Sequence, residues 1–317
     1  MLHSRSLYDL SLPASGVSIG VFDGVHRGHR YLLHHLVEGA HLENLPAVVI
    51  TFHPHPAWVL GYQPDLKYLT LPDERAALLQ QLGVDVVVTC PFDRELAARS
   101  ALDFMRLVKK HLGVRRLWIG YDFALGHGRE GNSERLRQIG EKLGYQVQVI
   151  PAAREGDEVI SSSRIRQLLT QGEVAEAARA LGRFYEVRGR VVRGDGRGRQ
   201  INIPTANLDY PPEKLIPANG VYVCRAYVGE KRFAAVTNIG FRPTFATSTP
   251  RPLIEAHLLD FEGDLYDQEL RLEFVARIRQ EQRFPGPEAL VNQILQDIRE
   301  ARRKLEDLPK WTIENKP

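Results

Sequence analysis

The stretch SIGVFDGVHRGHRYLL, residues 18–33, decides how this chain is read. An apolar run leads into three glycines, Gly20, Gly24 and Gly28, and two histidines, His26 and His29, before an amphipathic run begins. Strand, tight turn and helix in that order open a β-α-β unit. Leu32, Leu33, Leu36, Val37 and Ala40 then recur at helical spacing, and AVVITF (47–52) has the short, β-branched character of a buried strand.

Working outward, VSIGVF (17–22), DVVVTC (85–90), RRLWIG (115–120) and YQVQVI (145–150) read as further buried strands. PDERAALLQQLG, SALDFMRLVKKHL and SERLRQIGEKLG read as the helices between them. Such alternation predicts an α/β fold with a parallel sheet flanked by helices. Beyond EVAEAARALGRFYEV the pattern changes. EVRGRVVR, VYVCRAYV, RFAAVTNI, LIEAHLLDF and ELRLEFVARI follow one another across turn-rich connections, the signature of an antiparallel barrel or sandwich. A helix over about 287–305 follows, and the boundary falls at 184/185, dividing the chain into 1–184 and 185–317.

A length of 317 residues suits two domains. With 43% hydrophobic and 26% charged residues, neither a disordered nor a fibrous class applies. A net charge of +3 is too small for the concentrated basicity of nucleic-acid binding, so no nucleic-acid partner is expected. Cys90 and Cys224 stand far apart in apparent strands, which argues against a disulfide framework or a cysteine zinc site. The N-terminal MLHSRSLYDLSL lacks the apolar core of a signal peptide, and no run approaches the roughly 20 apolar residues of a membrane span. A cytoplasmic protein with no membrane partner is the expectation; the oligomeric state is left open.

Ligands of an open parallel sheet bind beyond the carboxyl ends of its strands, where helix N-termini attract negative charge. GVFDGVHRGH lies at such an end. Its glycines allow close approach of a phosphate, and its histidines can donate to one. No Gly-Lys-Ser/Thr follows, so it is not a Walker loop. Two histidines three apart could equally bind a metal, with His53 and His55 as further ligands, or cap a helix. A second element is VISSSRIRQLL (159–169), where Ser161, Ser162 and Ser163 precede a helix bearing Arg164 and Arg166. The serines serve either as plain N-caps or, with the arginines, as a cradle for a polyphosphate tail.

The combination G-x-FDG-x-H-x-GH with a distal ISS-S/T-x-IR resembles the nucleotidyltransferase half of the bacterial bifunctional riboflavin kinase and FAD synthetase family. The resemblance implies a Rossmann-like domain in which ATP is held while the phosphate of FMN attacks its α-phosphorus and pyrophosphate leaves. It assigns Gly20, Phe22, Asp23, Gly24 and Gly28 to nucleotide binding, and His26, His29 and Arg166 to catalysis. Ser161, Ser162 and Ser163 fall to the outgoing pyrophosphate. GYDFALGHGREGN (120–132) is similar to the family's flavin-contacting loop: Asp122 and Phe123 match, whereas Ala124 and Leu125 replace the more common arginine and aromatic. A leucine offers an isoalloxazine ring less stacking than phenylalanine does.

In the second half, VVRGDGRGRQINIPTANLDY (191–210) carries Gly194, Gly196 and Gly198 ahead of Pro204-Thr205-Ala206-Asn207. Thr205 and Asn207 are two apart, so in an extended segment they face one side and could share a cation. A hydroxyl and an amide completed by phosphates and water suit Mg2+. The pattern resembles the family's riboflavin kinase module, implying a barrel, and PANGVYV, TNIGFRPTF and LIEAHLLDFEGDLYDQEL agree. The resemblance makes Glu255 the base toward the ribityl hydroxyl that attacks the γ-phosphate of ATP; a lone strand glutamate is ordinarily a solvated face residue, but its place between Ile254 and Ala256 is consistent with an inward carboxylate. It places Arg242 and Arg279 on flaps over the flavin. Asn202 stands where the family commonly has glycine.

The expected activity is ATP- and Mg2+-dependent phosphorylation of riboflavin to FMN, followed by adenylylation of FMN to FAD. Its rivals are a kinase with a weakened adenylyltransferase, motivated by Ala124 and Leu125, and a flavin- or nucleotide-binding regulator without turnover.

Overall fold

The computed structural model describes residues 2–155, 158–194, 198, 203–241 and 251–307. They divide into two compact units between Ser162 and Ser163, ahead of the 184/185 boundary expected from the change in sequence pattern.

In the first unit, β1 (Leu2–Ser4), β2 (Ser15–Ile19), β3 (Ala47–His53), β4 (Val86–Pro91), β5 (Val114–Gly120) and β6 (Gln146–Ile150) form one sheet in the order β1-β4-β3-β2-β5-β6. Every pairing in it is parallel. The connecting helices are α1 (Arg27–Leu42), α2 (Pro56–Val59), α3 (Pro72–Gln81), α4 (Arg94–Ala98), α5 (Ala101–Leu112) and α6 (Ser133–Leu143). A pair of two-residue strands, β7 (Arg154–Glu155) and β8 (Glu158–Val159), follows. Helices on both faces bury the strands on both sides, and two clusters result. One joins Val17, Ile19, Val48 and Ile50 to Phe104, Met105 and Val108 of α5; the other joins Val49 and Val87 to Leu33 and Leu36 of α1 and Leu79 of α3.

The run at 17–22 was expected to be strand throughout, but β2 ends at Ile19. Phe22 is apolar because the turn buries it to 3% exposure, not because it continues the strand; its φ is +51°. The three-residue β1 and the short α2 and α4 escaped sequence reading, being too brief for any periodicity to register.

The second unit opens with α7 (Ser162–Gln171), cut at its first residue by the division, and α8 (Val174–Leu181). Six antiparallel strands then close a barrel: β9 (Tyr185–Val192), β10 (Ala206–Asp209), β11 (Gly220–Val228), β12 (Lys231–Gly240), β13 (Leu253–Leu258) and β14 (Glu269–Arg279). The order around it is β10-β13-β12-β11-β14-β9. Period-two alternation fills the interior with Tyr185, Val187, Tyr222, Cys224, Thr237, Ile254, Ala256, Leu272 and Phe274. The terminal helix α9 (Pro287–Glu306) covers part of the outer wall, setting Ile298, Ala301 and Leu305 against Val221, Val223, Val236 and Val275. Burial pushes the thiols of Cys90 and Cys224 up to about 12, so neither is a nucleophile at neutral pH.

Candidate active sites

The first candidate site is the turn between β2 and α1, at the carboxyl edge of the sheet. Phe22 and Val25 take φ of +51° and +40°, and Gly24 takes +84°. Two non-glycine residues in the left-handed region cost about 1 kcal/mol or more each, so the turn must be imposed by its surroundings. Asp23, 1% exposed, does much of this. Its carboxylate accepts from the backbone amides of Leu69 (3.0 Å) and Thr70 (2.9 Å) and from the Thr70 hydroxyl (3.1 Å), and that hydroxyl in turn accepts from the Gly24 amide at 2.9 Å. Asp23 therefore works as the clamp of the turn.

Arg75, fully buried, completes the frame. Nη1 donates to the Val21 carbonyl (2.7 Å), the Thr51 hydroxyl (2.9 Å) and the Phe52 carbonyl (3.3 Å), and Nη2 to the Thr70 carbonyl (3.2 Å). One guanidinium thus joins the ends of β2 and β3 to the segment that holds Asp23.

His26 is the N-cap of α1: its Nδ1 accepts from the His29 amide at 3.3 Å, so its proton sits on Nε2. The His26 and His29 rings stack with centroids 3.6 Å apart and planes 19° from parallel, while Phe22 meets His29 edge-on at 5.2 Å. A Cβ on Gly28 would touch the His26 ring at 3.1 Å, and one on Gly20 would press on Phe22. The capping reading and the ligand reading of the histidines are thus compatible, since Nδ1 of His26 caps and Nε2 remains a donor. For the metal reading, no group of three His, Cys, Asp or Glu side chains among the described residues could hold an ion, and His55 instead caps α2.

Ser162 joins the second motif to this turn: its hydroxyl donates to the Asp23 carbonyl at 2.8 Å. Ser161 precedes α7, Ser163 is exposed, and Arg166 lies four residues beyond Ser162, on the same helical face. In the loop after β5, Asp122 is exposed while Phe123 and Leu125 are half-buried against the α5 side of the core. Gly126 permits this docking, since at φ +79° its Cα lies where a Cβ would run into the Ala101 backbone.

The second candidate site lies on the outer wall of the barrel. Asn207 of β10 stands opposite Glu255 of β13, and Glu255 opposite Asn238 of β12. On β13, Ile254, Ala256 and Leu258 are buried and Leu253, Glu255 and His257 only half so. Glu255 therefore faces outward from the barrel, and the inward carboxylate expected from its apolar neighbours is corrected: those neighbours fill the interior and leave Glu255 on the other face. A Cβ on Gly194 would run into the Asn207 amide, and one on Gly198 would meet the Thr205 hydroxyl at 3.4 Å. Gly194 thus lies directly against the Asn207 side chain, whereas Gly198 lies against the Ile203 carbonyl with the Thr205 hydroxyl at ordinary van der Waals distance. Hydroxyl and amide oxygens against open backbone fit Mg2+ completed by phosphates and water. Gly196 and Arg242 lie outside the described residues. Arg279 is occupied elsewhere: its Nε lies 3.0 and 3.1 Å from the two oxygens of Asp297 on α9, and Nη2 donates at 2.8 Å.

A family model described as FAD synthetase matches residues 11–164, and one described as riboflavin kinase matches 181–305. The bifunctional riboflavin kinase/FMN adenylyltransferase of Escherichia coli (strain K12) is 40% identical over 303 residues, covering 94% of this chain and 96% of that one. The chain belongs to the bifunctional riboflavin kinase/FMN adenylyltransferase family. The protein of the same name from Bacillus subtilis (strain 168) is 34% identical over 311 residues, 97% of this chain and 98% of its own. A crystal structure described as a macrolide-efflux protein from Streptococcus pneumoniae superposes with a TM-score of 0.87 at 31% identity, covering 95% of this chain and 98% of that one. That description concerns the streptococcal protein; the shared fold spans nearly all of both chains. No helix among the described residues is long and apolar enough to cross a membrane.

The N-terminal parallel-sheet half is accordingly the FAD synthetase domain and the barrel the flavokinase domain of a riboflavin kinase/FMN adenylyltransferase, whose substrates are riboflavin, FMN and ATP. Sequence reading missed Thr70 and Arg75, which frame the adenylyltransferase turn from 46 to 54 positions away. It also missed Asn238, beside Glu255 in the kinase barrel. Only strand register exposes Asn238 as the neighbour of Glu255.

Proposed function

We propose that the two half-reactions run at these two sites with the following residues. In the barrel, Thr205 and Asn207 would hold Mg2+ with the phosphates of ATP and water; the bound ion neutralises charge on the transferring phosphoryl group. Glu255 accepts the proton of the ribityl hydroxyl as its oxygen bonds to the γ-phosphorus and the bond to the β,γ-bridging oxygen breaks, releasing ADP. Gly194, Gly196 and Gly198 are assigned to the nucleotide. At the sheet edge, a phosphate oxygen of FMN attacks the α-phosphorus of a second ATP, and the bond to the α,β-bridging oxygen breaks to release pyrophosphate. His26 and His29 donate to α- and β-phosphate oxygens; Ser161, Ser162, Ser163 and Arg166 receive the pyrophosphate. Asp122 and Phe123 border the flavin. The Ser162 bond to the Asp23 carbonyl supports the adenylyltransferase reading, because it joins two phosphate-binding motifs far apart in sequence. For the kinase, the support is the register of Asn207 opposite Glu255. The cytoplasm is the site of action, in keeping with two buried, widely spaced thiols.

The test incubates the protein with riboflavin, ATP and Mg2+ and resolves the flavins by chromatography. Wild type forms FMN and FAD. His29→Ala accumulates FMN without FAD. Glu255→Ala forms FMN about 10²–10⁴ times more slowly yet adenylylates added FMN normally. Loss of both steps in either folded variant would overturn the two-site assignment. Wild type that stops at FMN would favour the reading in which Ala124 and Leu125 weaken flavin retention.

A further inference from the structure

The two oxygen-bearing residues of the barrel site are not held equally. Asn207 is inside β10, paired on one side with Val192 of β9 and on the other with Glu255 of β13. Thr205 precedes the strand, which begins at Ala206, and its side chain is exposed. The ladder that fixes Asn207 therefore does not reach Thr205. What does reach this segment is His257, whose Nδ1 lies 2.7 Å from the Pro204 carbonyl oxygen. A carbonyl only accepts, so Nδ1 carries the proton and donates. The Pro204 carbonyl shares a rigid peptide plane with the Thr205 nitrogen, so this bond sets the direction in which the chain enters Thr205. His257 is two residues beyond Glu255 on the same strand and the same face.

We propose that His257 is a positioning residue of the kinase site, which orients Thr205 for the metal–nucleotide complex by holding the Pro204 peptide. One strand, β13, then carries both the group aimed at the substrate hydroxyl and the tether of the hydroxyl ligand, so their separation is set by a rigid element. The inference rests on the reading of Thr205 and Asn207 as the cation's ligands.

The test uses the full-length protein, with Mn2+·ADP as the probe and free Mn2+ followed by electron paramagnetic resonance. His257→Ala should weaken Mn2+·ADP binding about tenfold, the loss expected for one positioning hydrogen bond. His257→Asn, whose amide nitrogen can take the place of Nδ1, should restore most of it, and His257→Gln, one methylene too long, should not. In turnover, His257→Ala should raise KM for Mg·ATP with kcat of riboflavin phosphorylation changed by no more than about twofold, and FMN adenylylation by the same chain should be unaffected. Wild-type Mn2+·ADP binding in His257→Ala, or an Asn variant as weak as the Ala variant, would overturn the proposal. Asn207→Ala separates the two levels. If it weakens Mn2+·ADP binding and His257→Ala does not, the tether alone fails; if Asn207→Ala has no effect, the metal-site reading fails and the tether with it.

Discussion

Asp23 shows how a residue of a proposed binding motif also holds the turn that carries the motif. Its carboxylate accepts from the Leu69 and Thr70 segment, 46 to 47 positions along the chain. Asp23→Ala would leave two buried backbone amides without an acceptor, about 1–3 kcal/mol each, at a turn already holding Phe22 and Val25 in left-handed conformations. The expected outcome is a large loss of FAD formation with FMN formation unchanged, and a lower urea midpoint for the first unit alone, read by fluorescence and flavin chromatography. Asp23→Asn keeps one acceptor oxygen and should fall between Ala and wild type. If Asp23→Ala retained full adenylylation, the turn would not need its clamp. The FDG triplet was readable as part of a motif, but the job of its aspartate was not. That job depends on a partner segment whose own sequence, Leu69-Thr70, has no feature to distinguish it.

Among the elements, α9 has the most to lose from a single substitution. Apart from its apolar contacts with β11, β12 and β14, it is tied to the barrel by Asp297, 2% exposed, which accepts three hydrogen bonds from Arg279 and one from Gln293 at 3.0 Å. Removing one partner of a fully buried pair typically costs about 3–5 kcal/mol, and the 18% exposure of Arg279 with its bond to the Gln280 carbonyl holds the cost here to the lower end of that range. Asp297→Ala should therefore lower the stability of the barrel by that amount in urea unfolding, and an Arg279→Met/Asp297→Leu pair should recover much of it. Failure of the double variant to exceed Asp297→Ala would mean that the pair does more than fasten the helix. Most elements were legible because their signals are local: β3 and β4 are β-branched runs, β14 opens on apolar residues alternating with charged ones, and α5 is a long amphipathic stretch between Ser100 and Gly113. The flap role of Arg279 comes from resemblance alone, and its ion pair with Asp297 leaves no trace in the sequence because the partner is 18 positions away on another element. Glu255 misled for a related reason. Alternation told which residues share a face, but whether that face is inside or outside the barrel depends on the closure of six strands.

At the scale of the whole molecule, the change in sequence pattern near residue 184 marks where strands begin, whereas the compact units part at 162/163. Residues 163–184 contain no strand, yet they fold with the barrel. The Leu169 carbonyl accepts from the Ala218 amide at 2.9 Å, and the Gln171 carbonyl from Arg277 at 3.3 Å. Val174, Ala177 and Leu181 of α8 are each at most 1% exposed, and this helix packs on β9 and β14. Burial of each larger apolar side chain is worth about 1.5–3 kcal/mol, so α8 is a substantial part of the barrel's stability. A chain beginning at residue 163 should unfold in one cooperative urea transition and phosphorylate riboflavin at close to the full-length rate. One beginning at 185 lacks the cover of β9 and β14, and should unfold at a markedly lower urea concentration or aggregate. Equal stability of the two fragments would move the boundary back to where the strands start. A stable but inactive longer fragment would mean that the kinase reaction needs residues of the first unit as well.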